Sequence, residues 1–134
     1  MPFIRTGDEQ QIGAAIDFLG LNYYTTLRIE EGDEEGLRPV LPAGPDQPDG
    51  YTEMGWEITP EALPAYLEYL YETYAPPAIV ITENGASYSD GPDENGNIHD
   101  VRRIAYLDSH VRALAAARDG GLPVTGYFAW SLLD

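Results

Sequence analysis

The chain has 134 residues, with 23 acidic side chains, 7 arginines and no lysine, and a formal net charge of -16. That length fits one small domain, and a hydrophobic share of 43% is enough to build a core. The negative charge repels phosphate backbones and anionic headgroups, so neither nucleic acid nor a membrane surface is expected as a partner.

With no cysteine, disulfides and thiolate chemistry are ruled out, which suits a reducing compartment. The first residues, MPFIRTGDEQ, lack the apolar stretch of a signal peptide, and a cytoplasmic location is expected. No apolar run is long enough to span a bilayer. The acidity reads as a solvated surface.

The first predicted element is a strand within residues 16–24. The run DFLGLNYY is nearly continuous in apolar and aromatic residues, as buried parallel strands are. Gly20 within it marks a bulge or a close approach. Residues 30–55 are dense in Gly, Pro and acids and read as a long solvent-side loop.

Thr59-Pro60-Glu61 reads as a helix start, with a Thr cap, Pro at the first helical position and an acid facing the dipole. Leu63, Leu67, Leu70, Tyr71 and Tyr74 recur at helical spacing over about residues 60–74, and Pro76-Pro77 stops the helix. AIVIT (78–82) is a short β-branched strand.

A second acidic loop follows at 87–100. Asp100 then caps a helix whose apolar face is Ile104, Leu107, Val111, Leu114 and Ala115, ended by Gly120-Gly121. PVTGYFAWSLL (123–133) gives a third strand. The order β–α–β–α–β implies parallel pairing, with helical crossovers, in an α/β fold.

Several familiar motifs fail. DGPDENGNIHD resembles a calcium loop, but setting Gly96 at position six leaves Gly91 and Arg102 where acids are required. GASYS lacks the final glycine of a nucleophile elbow. His99 and His110 do not have zinc spacing.

In parallel α/β folds, ligands sit at the carboxyl ends of strands. Asn22 and Tyr24 fall there after the first strand, Glu83 and Asn84 after the second, and Trp130 and Ser131 after the third. A carboxylate leaving a buried strand can act as nucleophile or base, and a nearby Asn or Tyr can keep it ionised and aimed. Trp56 and Trp130 offer flat faces of the kind sugar rings pack on.

Plainer readings stand beside these. Glu83 fits a solvated acid at an Asn-Gly turn. One of Tyr23 and Tyr24 belongs to the core, because side chains alternate along a strand. Trp130 fits the core equally well, and Trp56 fits a staple before a helix.

The segments IDFLGLNYYT, MGWEITPEAL, IVITENGAS, the D-x-x-R-I-x-Y-L-x-x-H run over residues 100–110, and GYFAWSLLD occur in this order over nearly the whole chain. Together they closely resemble the C-terminal part of family 1 glycoside hydrolases, the β-glucosidase family.

The resemblance implies a (β/α)8 TIM barrel, retaining hydrolysis of β-glucosides and no cofactor. It makes residues 1–134 an incomplete barrel segment comprising strands six to eight. It assigns Glu83 as nucleophile and Tyr24 as the residue that orients it. Asn22, Trp56 and Trp130 become substrate-binding residues. A whole barrel needs about 250 residues. The family's general acid lies in an Asn-Glu-Pro motif, which does not occur here, and the family's segment beyond Asp134 carries further sugar contacts.

The expected function is thus part of a β-glucosidase that is inactive without its partner, the N-terminal part of the barrel. The alternatives are a non-catalytic sugar-binding or interaction remnant and, less well matched, an acidic calcium module. Exposed sheet edges would leave the isolated chain marginal or prone to aggregate.

Overall fold

The computed structural model describes residues 3–32, 36–40 and 50–131. The centre of the first acidic loop (41–49), residues 33–35 and the predicted strand end at 132–133 lie outside the described residues.

Three parallel strands form the main sheet in the order β1-β4-β5: β1 (Leu19–Asn22), β4 (Ile79–Asn84) and β5 (Val124–Ala129). Helices α2 (Ala62–Tyr74) and α3 (Val101–Asp119) make the crossovers. This is the expected β–α–β–α–β order.

Three short elements were not anticipated. A helix, α1 (Asp8–Ile12), precedes β1. The predicted loop at 30–55 contains an antiparallel hairpin of β2 (Ile29–Glu31) and β3 (Leu37–Pro39). Such three-residue strands carry too little periodicity to stand out from a Gly- and acid-rich sequence.

Both main helices lie on one face of the sheet. Leu63 and Leu67 of α2 and Leu114 and Ala117 of α3 form a buried cluster with Tyr23, Ile79 and Ile81. In α2 the buried Leu63, Leu67 and Leu70 follow the expected spacing, whereas Tyr71 and Tyr74 are exposed. The helix ends at Ala75, which takes a left-handed conformation (φ 44°) before Pro76-Pro77.

The predicted Thr59 cap is corrected. The helix begins at Ala62, and the buried Thr59 is claimed by the first strand. Tyr23 Oη donates to the Thr59 carbonyl at 2.7 Å and lies 3.2 Å from its hydroxyl. Asp100 flanks α3 as expected, but its carboxylate binds Arg103 at 2.7 Å instead of capping the backbone.

The buried stripe of α3 also differs from the predicted one. Tyr106, His110, Leu114 and Ala117 face the core, while Ile104 and Val111 are exposed. Hydropathy patterning passes over Tyr106 and His110 because both carry polar atoms. Burial is nonetheless favourable for them, since their rings stack at 4.1 Å and most of their polar atoms find partners.

The other sheet face is open. A side chain built at Gly20 would meet Thr82 and Phe18, and one at Gly126 would meet Val80 and Phe128, so these residues share that face. Phe18 is 53% exposed and Phe128 61%. Parallel sheets are normally covered on both faces. We expect the isolated chain to self-associate as its concentration rises, measured by light scattering. A sharp, cooperative melt of a monomer would contradict this.

His110 is fully buried, and burial pushes its imidazole below the usual histidine range. Nδ1 lies 2.8 Å from the Tyr106 carbonyl, and Nε2 has no hydrogen-bond partner among the described residues. The folded chain therefore resists a proton that the unfolded chain accepts near pH ~6.5. This contribution is complete above that pH and is lost as the pH falls toward the lower folded value, by at most about 1.4 kcal/mol per pH unit. Urea melts between pH 7.5 and 5 should show this slope in the wild type and a flatter one in His110→Leu.

Candidate active site

Parallel pairing brings the carboxyl ends of β1, β4 and β5 to one edge of the sheet. There β4 departs from regular alternation. Leu21 pairs with Ile81, but the next residue, Asn22, pairs with Glu83. On the other side, Ile81 pairs with Tyr127 and Asn84 with Ala129. Over this stretch the middle strand carries one residue more than either neighbour, a β-bulge, whereas at its start the extra residue lies in β5, where Val124 and Gly126 pair with the consecutive Ile79 and Val80; bulges re-aim side chains.

The consequence is direct. Strict alternation after Ile79 and Ile81 would turn Glu83 toward the helices. Instead Thr82 and Glu83 both face the open side. Thr82 Oγ1 donates to Asn22 Oδ1 at 2.6 Å, and Tyr24 Oη donates to Glu83 Oε2 at 2.8 Å. Asn84 turns to the helix side, 1% exposed.

Tyr23 and Tyr24 divide as strand geometry requires, with Tyr23 in the core and Tyr24 at the site. Burial, followed by the hydrogen bond to Glu83 and its charge, pushes the Tyr24 phenol up to about 12. Tyr24 therefore stays a donor across the neutral range.

Tyr24 also lines an open cleft of about 210 Å³ with Thr52, Met54, Trp56, Gly85, Ala86, Ser87 and Trp130. The Trp56 ring meets Tyr24 edge-on, with centroids 5.4 Å apart. Trp130 is 62% exposed, so it is not a core residue, and Trp56 sits against Tyr24 at the cleft wall. Of the residues singled out in the sequence, Tyr24, Trp56 and Trp130 meet at the cleft, and Tyr24 joins Glu83 to them. Asn22 sits at the same edge but bonds Thr82, not Glu83.

The reading of Asn84-Gly85 as a turn is corrected. Asn84 is the last residue of β4, and Gly85 has no positive φ. Glycine is required there because a Cβ would collide with the Trp130 carbonyl oxygen. The Trp130 amide in turn donates to the Asn84 carbonyl at 2.9 Å.

Sequence reasoning also missed how the cleft loops are fastened. The Glu53 amide donates to the Ser87 carbonyl, and the Ser89 hydroxyl donates to the Glu53 carboxylate. Arg103 Nε donates to the Ala86 carbonyl at 3.0 Å, and Arg102 binds Asp90 while lying 4.3 Å from the Tyr88 ring centre. Paired Arg102 and Arg103 at a helix start, directly after an acidic loop, are the signal that could have pointed to this. Among the described residues, no group of three or more His, Asp or Glu could hold a metal ion.

A model of the glycosyl hydrolase family 1 matches residues 1–134. The chain belongs to that family. It is 42% identical over 127 residues to β-glucosidase A of Thermotoga maritima, covering 95% of this chain and 28% of that protein. It is 40% identical over 135 residues to the β-glucosidase of an Agrobacterium species, covering 100% of this chain and 29% of the relative.

A solved family 1 β-glucosidase from Thermotoga maritima, in complex with isofagomine lactam, superposes with a TM-score of 0.82 at 41% identity. It covers 93% of this chain and 27% of that structure. The chain therefore spans a little over a quarter of the length of these relatives, and its three parallel strands with their helices are a segment of the family's (β/α)8 barrel.

Replacing Gly85 by Ala should force Trp130 aside and destabilise the chain by about 1–3 kcal/mol, as overpacking does. Gly91→Ala, where a Cβ meets nothing within 4 Å, should stay within about 0.5 kcal/mol of wild type. Denaturant melts with tryptophan fluorescence would show both.

Proposed function

We propose that this chain carries the nucleophile half of a retaining β-glucosidase site, acting on terminal β-D-glucosides. The observation that carries the reading is the 2.8 Å bond from Tyr24 Oη to Glu83 Oε2, made by a tyrosine that lines a cleft together with Trp56 and Trp130. The names of the family relatives supply the substrate class.

The chemistry follows from this arrangement. Tyr24 holds Oε2, and Oε1 is left to attack the anomeric carbon. As the C1–Oε1 bond forms, the bond to the leaving oxygen breaks, and that oxygen takes a proton from an acid. Water then attacks C1 from the face the leaving group vacated, giving up its proton to the same acid residue. The C1–Oε1 bond breaks, and the β configuration is restored. Tyr24 stabilises the carboxylate as ground-state nucleophile and again as leaving group. Trp56 and Trp130 offer faces for the sugar and its leaving group, and Asn22, fixed by Thr82, offers its amide to a sugar hydroxyl.

Retention needs the second carboxyl about 5–5.5 Å from the first. The family's Asn-Glu-Pro acid has no counterpart in this sequence. The chain alone is therefore inactive, and its functional partner is a polypeptide supplying the remaining barrel strands with the proton donor.

Mixing the chain with the complementary part of Thermotoga maritima β-glucosidase A and a 2-deoxy-2-fluoro-β-glucoside tests this. Mass spectrometry should find one glycosyl adduct on the Glu83 peptide, absent in Glu83→Gln. The chain alone should cleave an aryl β-glucoside at background rate only. Labelling that survives Glu83→Gln, or Glu83-dependent turnover by the isolated chain, would overturn the proposal. Reversible sugar binding without labelling would favour a sugar-binding remnant.

A further inference from the structure

Behind the cleft, on the helix side of β4, lies a closed set of hydrogen bonds that no step of the reaction uses. Asn84 Nδ2 donates to the Tyr23 carbonyl at 2.7 Å and to Tyr106 Oη at 3.0 Å. Asn84 Oδ1 accepts from Tyr127 Oη at 2.8 Å. Tyr106 Oη donates its own proton to the Tyr24 carbonyl at 3.2 Å.

The donors and acceptors match one to one. Tyr106 has a single proton, which goes to Tyr24, so it accepts from Asn84. Both Asn84 amide protons are used, and its oxygen faces a donor. This inventory fixes which way the amide points. Asn84 and Tyr106 are 1% and 2% exposed, so water does not compete for these groups.

We propose that Tyr106 is a positioning residue for the Tyr24–Glu83 pair. One phenol on α3 grips the backbone of Tyr24 directly and grips Asn84, the residue next to Glu83. The two contacts lie on either side of the catalytic hydrogen bond, one just past the end of β1 and the other at the end of β4. Tyr106 thereby sets the distance between β1 and β4 at the point where Tyr24 must reach Glu83. It also holds Asn84 on the helix side, which keeps Glu83 on the open side of the sheet. The phenol itself is held in place by His110, whose ring stacks on it at 4.1 Å with 25° between planes.

In catalytic terms the inference rests on the reading of Glu83 as nucleophile; in structural terms it concerns the Tyr24–Glu83 bond alone. Fluorosugar labelling of the complemented barrel tests the first, and the following measurement tests the second, so the two can fail separately.

The full chain is labelled with 13Cζ-tyrosine, and the Tyr24 resonance is assigned by Tyr24→Phe. Its shift is compared at pH 7.5, in dilute solution, between each chain and the same chain carrying Glu83→Gln. In the wild type, Glu83→Gln should displace the Tyr24 resonance. In the Tyr106→Phe background, with a dispersed amide spectrum confirming the fold, that displacement should shrink by about half or more. In the Ile79→Val background, which loosens the same strand without touching the network, it should keep its full size. If Tyr106→Phe does not fold, Tyr127→Phe removes only the bond to Asn84 Oδ1 and should reduce the displacement. A full-size displacement in Tyr106→Phe, or in Tyr127→Phe where Tyr106→Phe does not fold, or no displacement in the wild type, overturns the inference.

Discussion

The site depends on one irregularity, the extra residue in β4 between Ile81 and Asn84. A regular strand would place Glu83 under the helices with Ile79 and Ile81, where a carboxylate without partners is costly. The bulge puts Glu83 on the open face and sends Asn84 inward instead. That exchange is tolerable because an amide can be satisfied by neutral partners in the interior. Asn84 finds three, and each buried polar group left unmatched would cost about 1–3 kcal/mol. The bulge and the Asn84 cradle are thus one feature viewed from two sides of the sheet.

Around that feature the polar groups divide by depth. Deep in the fold, the hydrogen bonds run between neutral groups: tyrosine phenols, backbone carbonyls and one amide. His110 joins them with its charge suppressed. Near the surface the bonds are ionic: Arg28 with Glu57, Arg102 with Asp90 and Arg103 with Asp100. Exposed ion pairs add little to stability. Here Arg102 and Arg103 matter for geometry, since they hold the loop after β4 that forms one wall of the cleft. Tyr24–Glu83 joins the two zones, a neutral phenol just after β1 meeting the carboxylate of β4.

The barrel relationship explains the asymmetry of the sheet. One face has its helices and a packed core. The other presents Phe18, Phe128 and Trp130 together with Glu83 and Tyr24. In a (β/α)8 barrel this is the inward face, filled by side chains from the other strands. The same exposure that makes the open face adhesive in isolation makes it the natural seam for the remaining strands. Both sheet edges among the described residues, at β1 and β5, have backbone groups to offer them.

Much of this was legible in the sequence. The alternation of strands and helices followed from apolar spacing and from punctuation by Pro76-Pro77 and Gly120. The strand-end placement of Glu83, Tyr24 and Trp130 followed from parallel topology, and the ordered motifs carried the family. Local signals sufficed because each involves residues close together in the chain. Only the tertiary structure decided the rest. Thr59 reads as a helix cap until Tyr23, 36 residues away, claims it. Asn84-Gly85 reads as a turn until Trp130 is seen against the glycine and Tyr106 and Tyr127 against the amide. Tyr106 and His110 read as polar interruptions of an apolar face, yet they are its buried centre. In each case the deciding partner is a polar group brought in by the fold, and hydropathy spacing carries no record of which buried polar atoms will find each other.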